Sequence, residues 1–386
     1  MEQCQGQPIR VLHIIPGYGG GISSHVRNLV NGIESDKVVI DVAGFTEYPE
    51  DFRKEVLNKC GKLYTLTNVR IHSIIHCLNE MHDILKKGKY HAVHLHLTGL
   101  QALYFSTCAR LHGIKRIIVH AHIADEKGSD RFGYTIKKRI DQILTTYSAT
   151  EFASCSKIAS SFRFGDKYVR NNRVMHIPNS IDEKQYFCDS EFDEEKYYDE
   201  LCISKSSLVI GHVGFFGYQK NHIFMFEIAK KLIDRDIDFV WLFIGTGYNF
   251  EEYKNIAEKM GITSHIRFLG RRDDVCNLYK IMDVFVLPSF FEGLPTVAIE
   301  AQASGVPCVL ADTITEETDL NLGMVSRLSL EESLDKWCDE IIRSSRIDVM
   351  KDSERQRIIE NKGFTRKMAA KLYTDYLYGK IHFYNL

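Results

Sequence analysis

None of the ten cysteines pairs as C-x-x-C, and none belongs to a cluster with metal-ligand spacing. A zinc ribbon or a dithiol redox motif is therefore excluded, and the scattered thiols fit a reducing, cytosolic setting in which several are core residues. Runs of about 18 apolar residues, enough to cross a bilayer, are missing too; the best candidate, Phe239 to Ile244, is short and fits a buried strand. The opening MEQCQGQPIRVLHII has neither a charged leader nor a long apolar stretch before its first strand, so a cleaved signal peptide is not expected. Charge of one sign is also lacking: a formal net charge of -2 gives no global reason to expect nucleic acid as a partner. What is present is ordinary for a globular protein, 44% hydrophobic and 26% charged residues, on a 386-residue chain long enough for two cores rather than one.

Strands and helices alternate along both halves. In the first half, strands are expected at Ile9–Ile15, Val38–Ala43, Ala92–Leu97 and Ile117–Ala121, then near Phe152 and at Val174–Ile177; helices are expected at Ile22–Ile33, Ile71–Leu85, Leu100–Leu111 and Tyr134–Thr146. The acidic, aromatic stretch Asp182–Leu201 interrupts the pattern and reads as a linker with one short helix. A second series follows: strands at Val209–Val213, Phe239–Ile244, Ile266–Leu269 and Asp283–Leu287, with helices at Ile223–Ile233 and Glu251–Met260. Such alternation predicts an α/β protein built from parallel, doubly wound sheets. The expected divisions are 1–185, 186–363 and a final segment, 364–386, with apolar residues at helical spacing.

The stretch from Leu287 to Leu310, LPSFFEGLPTVAIEAQASGVPCVL, joins two carboxylates to a strand, a turn and a helix. Pro288, Ser289, Gly293 and Pro295 force the turn, and Val297, Ala298 and Ala301 open the helix. Glu292 then sits on the loop and Glu300 on the helix. In an open α/β sheet a loop of this kind faces the ligand crevice, and the free N–H groups of the helix attract phosphate. The segment resembles the E-x7-E signature of retaining glycosyltransferase family 4, and the resemblance extends over nearly the whole chain. It implies the GT-B fold, two Rossmann-like doubly wound domains about a cleft with the C-terminal helix crossing back onto the first. It also implies that Glu292 meets the transferred sugar and Glu300 the ribose of the nucleotide, with Gly293, Leu294, Pro295 and Thr296 lining the donor.

Two further motifs fit that family. Ile210–His222, IGHVGFFGYQKNH, resembles its phosphate-binding stretch, with Lys220 in place to neutralise a diphosphate. Phe215 stands where the family usually has Arg, and Arg271 is a candidate to compensate. After the first strand comes Pro16-Gly17-Tyr18-Gly19-Gly20-Gly21, where glycines let backbone approach an anion and Ser23 or Ser24 can cap the helix. Taken alone that loop is equally a tight strand-to-helix turn, and the dinucleotide fingerprint fails because Ile22 replaces its last glycine. The resemblance makes Gly20 and Gly21 part of a loop closing over donor diphosphate or acceptor.

Other clusters have plainer readings. His94 with His96, and His120 with His122, each share a strand face, but lack further ligands for zinc. By resemblance His122 lies close to the transferred sugar, while His96 is a neighbour or a packed imidazole. Asp234, Asp236 and Asp238 spell D-x-D at the wrong end of a strand for a crevice, and Asp273 and Asp274 suit a helix N-terminus, so no metal is expected. Lys137, Lys138 and Arg139, on a helix whose Ile136, Ile140, Ile143 and Leu144 keep one face, are either solvated surface or a patch for anionic lipid head groups; Arg163, Lys167, Arg170 and Arg173 add charge.

The expected activity is that of a retaining, metal-independent glycosyltransferase without cofactor, taking a nucleotide-diphosphate sugar, UDP-linked by preference, to a glycan or lipid-linked acceptor hydroxyl. Phrases such as AQASGVPCVLADTITEE resemble bacterial capsule and exopolysaccharide members, which implies a cytoplasmic protein at the inner face of the membrane. A sugar-nucleotide epimerase of the same fold, and a weakly active partner subunit that binds nucleotide sugar, are the rival readings; Phe215 keeps the latter open.

Overall fold

The alternation of strand and helix takes the form of two separate parallel sheets in a computed structural model, which describes residues 7–67, 74–123, 132–187 and 192–381. The chain divides into two compact units, Met1–Ile181 with Gly363–Leu386, and Asp182–Lys362. Unit 1 carries β1 (Ile9–Ile15), β2 (Val38–Gly44), β3 (Leu63–Thr65), β4 (Ala92–Leu95), β5 (Arg116–Ala121), β6 (Glu151–Ser154) and β7 (Val174–His176). They are ordered β3-β2-β1-β4-β5-β6-β7. Unit 2 carries β8 (Leu208–Val213), β9 (Phe239–Ile244), β10 (Ile266–Gly270), β11 (Val284–Leu287), β12 (Cys308–Ala311) and β13 (Val325–Leu328), ordered β10-β9-β8-β11-β12-β13. Every strand pair is parallel.

A parallel sheet covered by helices on both faces buries both side-chain sets, so its strands are continuously apolar rather than alternating. All six residues of β9, FVWLFI, are buried, as are all four of β11 and of β12. In each unit one strand sits at a switch of direction: β1 between β2 and β4, and β8 between β9 and β11. Loops leaving the carboxyl ends of two strands at such a point diverge and open a crevice.

The final helix, Arg366–Leu377, belongs to unit 1. Its Ala369, Ala370, Tyr373, Tyr376 and Leu377 join the core that holds Val26, Leu29 and Val30 of the helix Gly21–Gly32. The chain is tied in where Ile181 N–H donates to Phe364 (2.8 Å) and Arg366 N–H donates to Ile181 (3.0 Å). At the far end Arg116 grips Glu151 through two nitrogens, donates to the carbonyls of Tyr376 and Leu377, and lies 4.8 Å from the Tyr376 ring. A cation on the last carbonyls of a helix complements its dipole.

Some elements differ from the sequence reading. Among its described residues the stretch Asp182–Leu201 holds two short helices, Glu183–Tyr186 and Glu194–Glu200, the second capped by Asp193 accepting from the Lys196 amide. The helix Glu50–Asn58 and β3 were not anticipated; one is mostly polar and the other has only three residues. Residues 71–73 of the expected helix Ile71–Leu85, Tyr384, Cys4 and Cys188 lie outside the described residues, and that helix runs Ile74–Gly88.

Gly32, at the end of the helix Gly21–Gly32, lies against the final helix. A Cβ there would lie 2.6 Å from the Arg366 carbonyl and 2.8 Å from the Ala370 Cβ. Gly32→Ala should force the helices apart at a cost of about 1–3 kcal/mol, the usual range for overpacking. A lowered melting temperature checks this; an unchanged one would mean the final helix has slack to move.

Candidate functional site

In unit 2 the loops after β8 and β11 meet at the switch point. The β8 loop must fold tightly because Gly214 N–H bonds Ile244 (2.9 Å) and Gly245 N–H bonds Gly270 (2.8 Å). Gly245 has φ +135°, and a Cβ there would lie 2.0 Å from the Gly214 carbonyl. At Gly214 a Cβ would press on the Lys220 stem, at 2.9 Å, and on His212. The missing side chain lets Lys220 lie across the loop. Its ammonium sits 2.7 Å from Oε1 of Glu292, with only 12% and 9% of the two side chains exposed. Gln219 completes the link by donating to Oε2 of Glu292 (2.9 Å) and to the Phe291 carbonyl (2.9 Å). Phe290 N–H returns a bond to Gln219 (2.9 Å), and the rings of Tyr218 and Phe290 stack at 4.7 Å. Lys220 and Glu292, 72 residues apart in sequence, are thus one unit.

Gly293, Leu294 and Pro295 are buried and deliver the helix Thr296–Ala303, whose first turn includes the partly buried Thr296. Glu300 lies one turn further on, and Tyr279 donates to the Val297 carbonyl (2.9 Å) and approaches Oε2 of Glu300 at 3.3 Å. Desolvation pushes the Glu300 carboxyl up to about 7, while hydrogen bonds from Tyr279 and Tyr186 pull the other way. A carboxyl poised near neutrality beside a helix start is suited to gripping hydroxyls.

Phe215 puts no charge into this region: it is half exposed and packs edge-on against the Tyr248 ring at 5.1 Å. Arg271 is exposed just beyond β10, separated from β8 by β9 in the sheet, and makes no ion pair among the described residues. Its neighbour Arg272 is engaged by Asp274 and Glu200. The D-x-D lies at the amino edge: Asp234 pairs with Lys230, Asp236 has φ +56°, and Asp238 accepts from Ser207.

Unit 1 offers a different chemistry. At the glycine loop the amides of Gly19 and Gly20 both donate to Ser23 Oγ at 3.0 Å, so Ser23 occupies the donors expected to meet an anion. No atom lies within 4 Å of a Cβ built at Gly19, Gly20 or Gly21, which leaves that edge open. His122 follows β5 and is partly buried. Around it the two H-x-H pairs are joined by His13 and His25, and all six rings have their pKa lowered by desolvation. His13 and His25 were missed in the sequence; the available signal was a histidine inside the apolar strand IRVLHII and another on a buried helix face. Three-imidazole groups with ring nitrogens within 4.8 Å of one another occur here, His13-His94-His96 and His96-His120-His122. The apolar face beside Lys137 and Arg139 is at the surface: Ile136, Ile140 and Ile143 are 45%, 52% and 54% exposed.

Removing the Lys220 ammonium leaves Glu292 as a largely covered, uncompensated charge. Lys220→Met should destabilise by on the order of 3 kcal/mol, and adding Glu292→Gln should restore most of that. Thermal melts of both single variants and the double variant check this; additive losses would overturn the pairing.

Comparison with known proteins gives the family and the fold. The family described as Glycosyl transferases group 1 matches residues 193–333, which hold Lys220, Glu292 and Glu300. A Bacillus subtilis (strain 168) protein named "Putative glycosyltransferase EpsF" is 33% identical over 339 residues, 87% of this chain and 88% of its own. An Escherichia coli UDP-Gal:alpha-D-GlcNAc-diphosphoundecaprenol alpha-1,3-galactosyltransferase is 28% identical over 250 residues, 64% of each chain. The solved structure of Anabaena Alr3699/HepE in complex with UDP shares the fold at TM-score 0.75 and 16% identity, over 97% of this chain and 100% of that one. The two Rossmann-like units are those of a GT-B transferase, and the chain belongs to the group 1 glycosyltransferases.

Proposed function

We propose that this protein is a retaining, metal-independent glycosyltransferase that carries a sugar from a UDP-sugar to a hydroxyl of a lipid-linked glycan in bacterial surface polysaccharide synthesis. The observation that carries the proposal is the Lys220–Glu292 pair at the switch point of unit 2. A diphosphate entering there competes with Glu292 for the ammonium and frees the carboxylate for sugar hydroxyls. As the nucleoside diphosphate departs, negative charge grows on the phosphates and oxocarbenium character on the sugar. Lys220 and the N-terminus of the helix Thr296–Ala303 meet the first, with Gly293, Leu294, Pro295 and Thr296 lining the donor; Glu292 orients and offsets the second. Glu300 takes the ribose hydroxyls and Arg271 supplies the cation that Phe215 does not; within unit 1, His122 is the candidate for sugar hydroxyls and Gly20 and Gly21 for the donor or acceptor. Retention follows if the acceptor attacks from the leaving-group face and the diphosphate takes its proton. UDP as donor base and an undecaprenol-linked acceptor are supported by the names of the E. coli relative and of the UDP complex.

The same proposal brings the enzyme to the membrane surface, although no helix among the described residues is long and apolar enough to cross a membrane. The helix Phe132–Ser148 exposes Ile136, Ile140, Ile143 and Tyr147, one stripe at helical spacing, with Lys137 and Arg139 beside it. Apolar side chains next to basic ones fit the interface of anionic lipid. Sedimentation with anionic liposomes should be lost when Ile136, Ile140 and Ile143 are changed to Ser, and reduced when Lys137, Lys138 and Arg139 are; unchanged sedimentation in both would exclude this helix as the contact.

For the donor site, melting in UDP, GDP and their sugar conjugates without metal should show a shift with the UDP series; a ligand at about 100 times its dissociation constant adds about 2.7 kcal/mol. Glu300 adds a pH test. Folded, its carboxyl holds a proton up to about 7, whereas unfolded it releases it in the usual range, near 4.3, so stability falls as pH rises between those values. Glu300→Gln should therefore melt higher than the parent at pH 8 without ligand, yet gain less from UDP. A variant that melts lower at pH 8 would show that the carboxyl is not strained there.

A further inference from the structure

Five of the six clustered histidines His13, His25, His94, His96, His120 and His122 are joined in single file with Tyr373 of the final helix. Nε2 of His122 lies 2.7 Å from Nδ1 of His96, and Nε2 of His96 lies 3.0 Å from Nδ1 of His13. Nε2 of His13 is 2.9 Å from the Tyr373 hydroxyl, which is 2.7 Å from Nδ1 of His94. Nε2 of His94 is 3.1 Å from Nδ1 of His120. The file is therefore continuous from His122 to His120. It ends on Nδ1 of His122 and Nε2 of His120, both buried without a protein partner. His25 makes no hydrogen bond in the file; its ring meets those of His120 and His122 edge to face at 5.0 Å and 5.3 Å.

The order of the nitrogens is the informative feature. At each link the Nε2 side of one residue meets the Nδ1 side of the next, with the tyrosine hydroxyl as the middle member. A neutral imidazole has one N–H and one lone pair, and a hydroxyl both donates and accepts. The file is satisfied in two ways: every histidine protonated on Nε2, or every one on Nδ1. A mixed set sets two lone pairs or two N–H groups against each other at some link, or, at Tyr373, leaves the hydroxyl proton without an acceptor or one of the two facing lone pairs without a donor. In a buried site each such fault costs about 1–3 kcal/mol. Burial keeps the rings neutral, which the file requires. A metal ion at either three-imidazole group would need a nitrogen of His96, and both of these are already bonded within the file.

We infer that the five histidines and Tyr373 act as one tautomeric relay, in which Tyr373 is the positioning residue that sets whether Nδ1 of His122 offers a lone pair or a proton to a ligand hydroxyl. With the protons on Nε2, His122 accepts; in the opposite sense it donates. Reversal shifts one proton across each link, takes one in at His122 and releases one from Nε2 of His120, so no net charge is left in the core. That the hydroxyl belongs to a sugar rests on the glycosyltransferase reading; the relay itself does not.

The test is long-range proton–nitrogen correlation NMR on the full-length protein labelled in its histidines, at neutral pH, with assignments from single substitutions. His13, His94, His96, His120 and His122 should all be neutral and share one tautomer. Mixed tautomers, a protonated member, or stoichiometric zinc in the purified protein would overturn the relay. Tyr373→Phe should uncouple the two segments, giving two sets of signals for His94 and His120; a single unchanged set in a folded variant would also overturn it. UDP-glucose and UDP-galactose, compared with UDP alone, should move His122, His96 and His13 together. If the common tautomer holds but neither conjugate moves His122 beyond UDP alone, the sugar assignment fails while the relay stands.

Discussion

Burial of both faces of both sheets is the constraint from which the rest follows. A strand such as FVWLFI has no side chain left for solvent, so charged chemistry is driven to the strand ends, and there to the switch point where two loops part. Lys220 and Glu292 sit at that point and not elsewhere. Polar residues that stay within a sheet are costly unless they are hydrogen-bonded in place. Asp41 in β2 is completely buried and accepts from Arg10 through two nitrogens, from the Lys62 amide and from Tyr90 at 2.6 Å. The histidine file meets that demand with neutral groups at every link and leaves only its two end nitrogens, Nδ1 of His122 and Nε2 of His120, without a protein partner.

The two units answer the constraint differently. Unit 2 has a single buried imidazole in its strands, His212 of β8, and carries opposite charges in the loops, where a paired ammonium and carboxylate can be separated by a more highly charged ligand. Unit 1 brings imidazoles into β1, β4 and β5, where desolvation denies them a charge. Charge neutralisation suits a diphosphate; uncharged hydrogen bonding suits hydroxyls. The division between the units follows from where each sheet admits polar atoms.

Sheet type, strand positions and the Glu292-to-Glu300 segment were legible because each rests on local pattern: continuous apolar runs, and prolines and glycines that force a turn. The Lys220–Glu292 contact was not, since nothing local links residues 72 apart, and only the sheet order brings β8 beside β11. The glycine loop reads in sequence as backbone that an anion can approach, with Ser23 or Ser24 as a cap; in the fold the amides of Gly19 and Gly20 donate to Ser23 Oγ. The apolar residues of the helix Phe132–Ser148 have helical spacing whether they face a core or the outside. Periodicity specifies a face but not what covers it.

Tyr373 shows how far a sequence pattern can fall short of a role. By spacing it is one more apolar position on an amphipathic helix, and its ring does fill the core of unit 1. Its hydroxyl, however, lies between His13 and His94, 360 and 279 residues away in sequence. A phenylalanine would pack the same volume and leave two buried imidazole nitrogens without this partner, which costs more than the hydrogen bonds themselves contribute. The helix that returns to unit 1 therefore does more than cover its sheet. It supplies the one group in the file that can both accept and donate without changing tautomer, and so joins two histidine segments into a single conductor of hydrogen-bond sense.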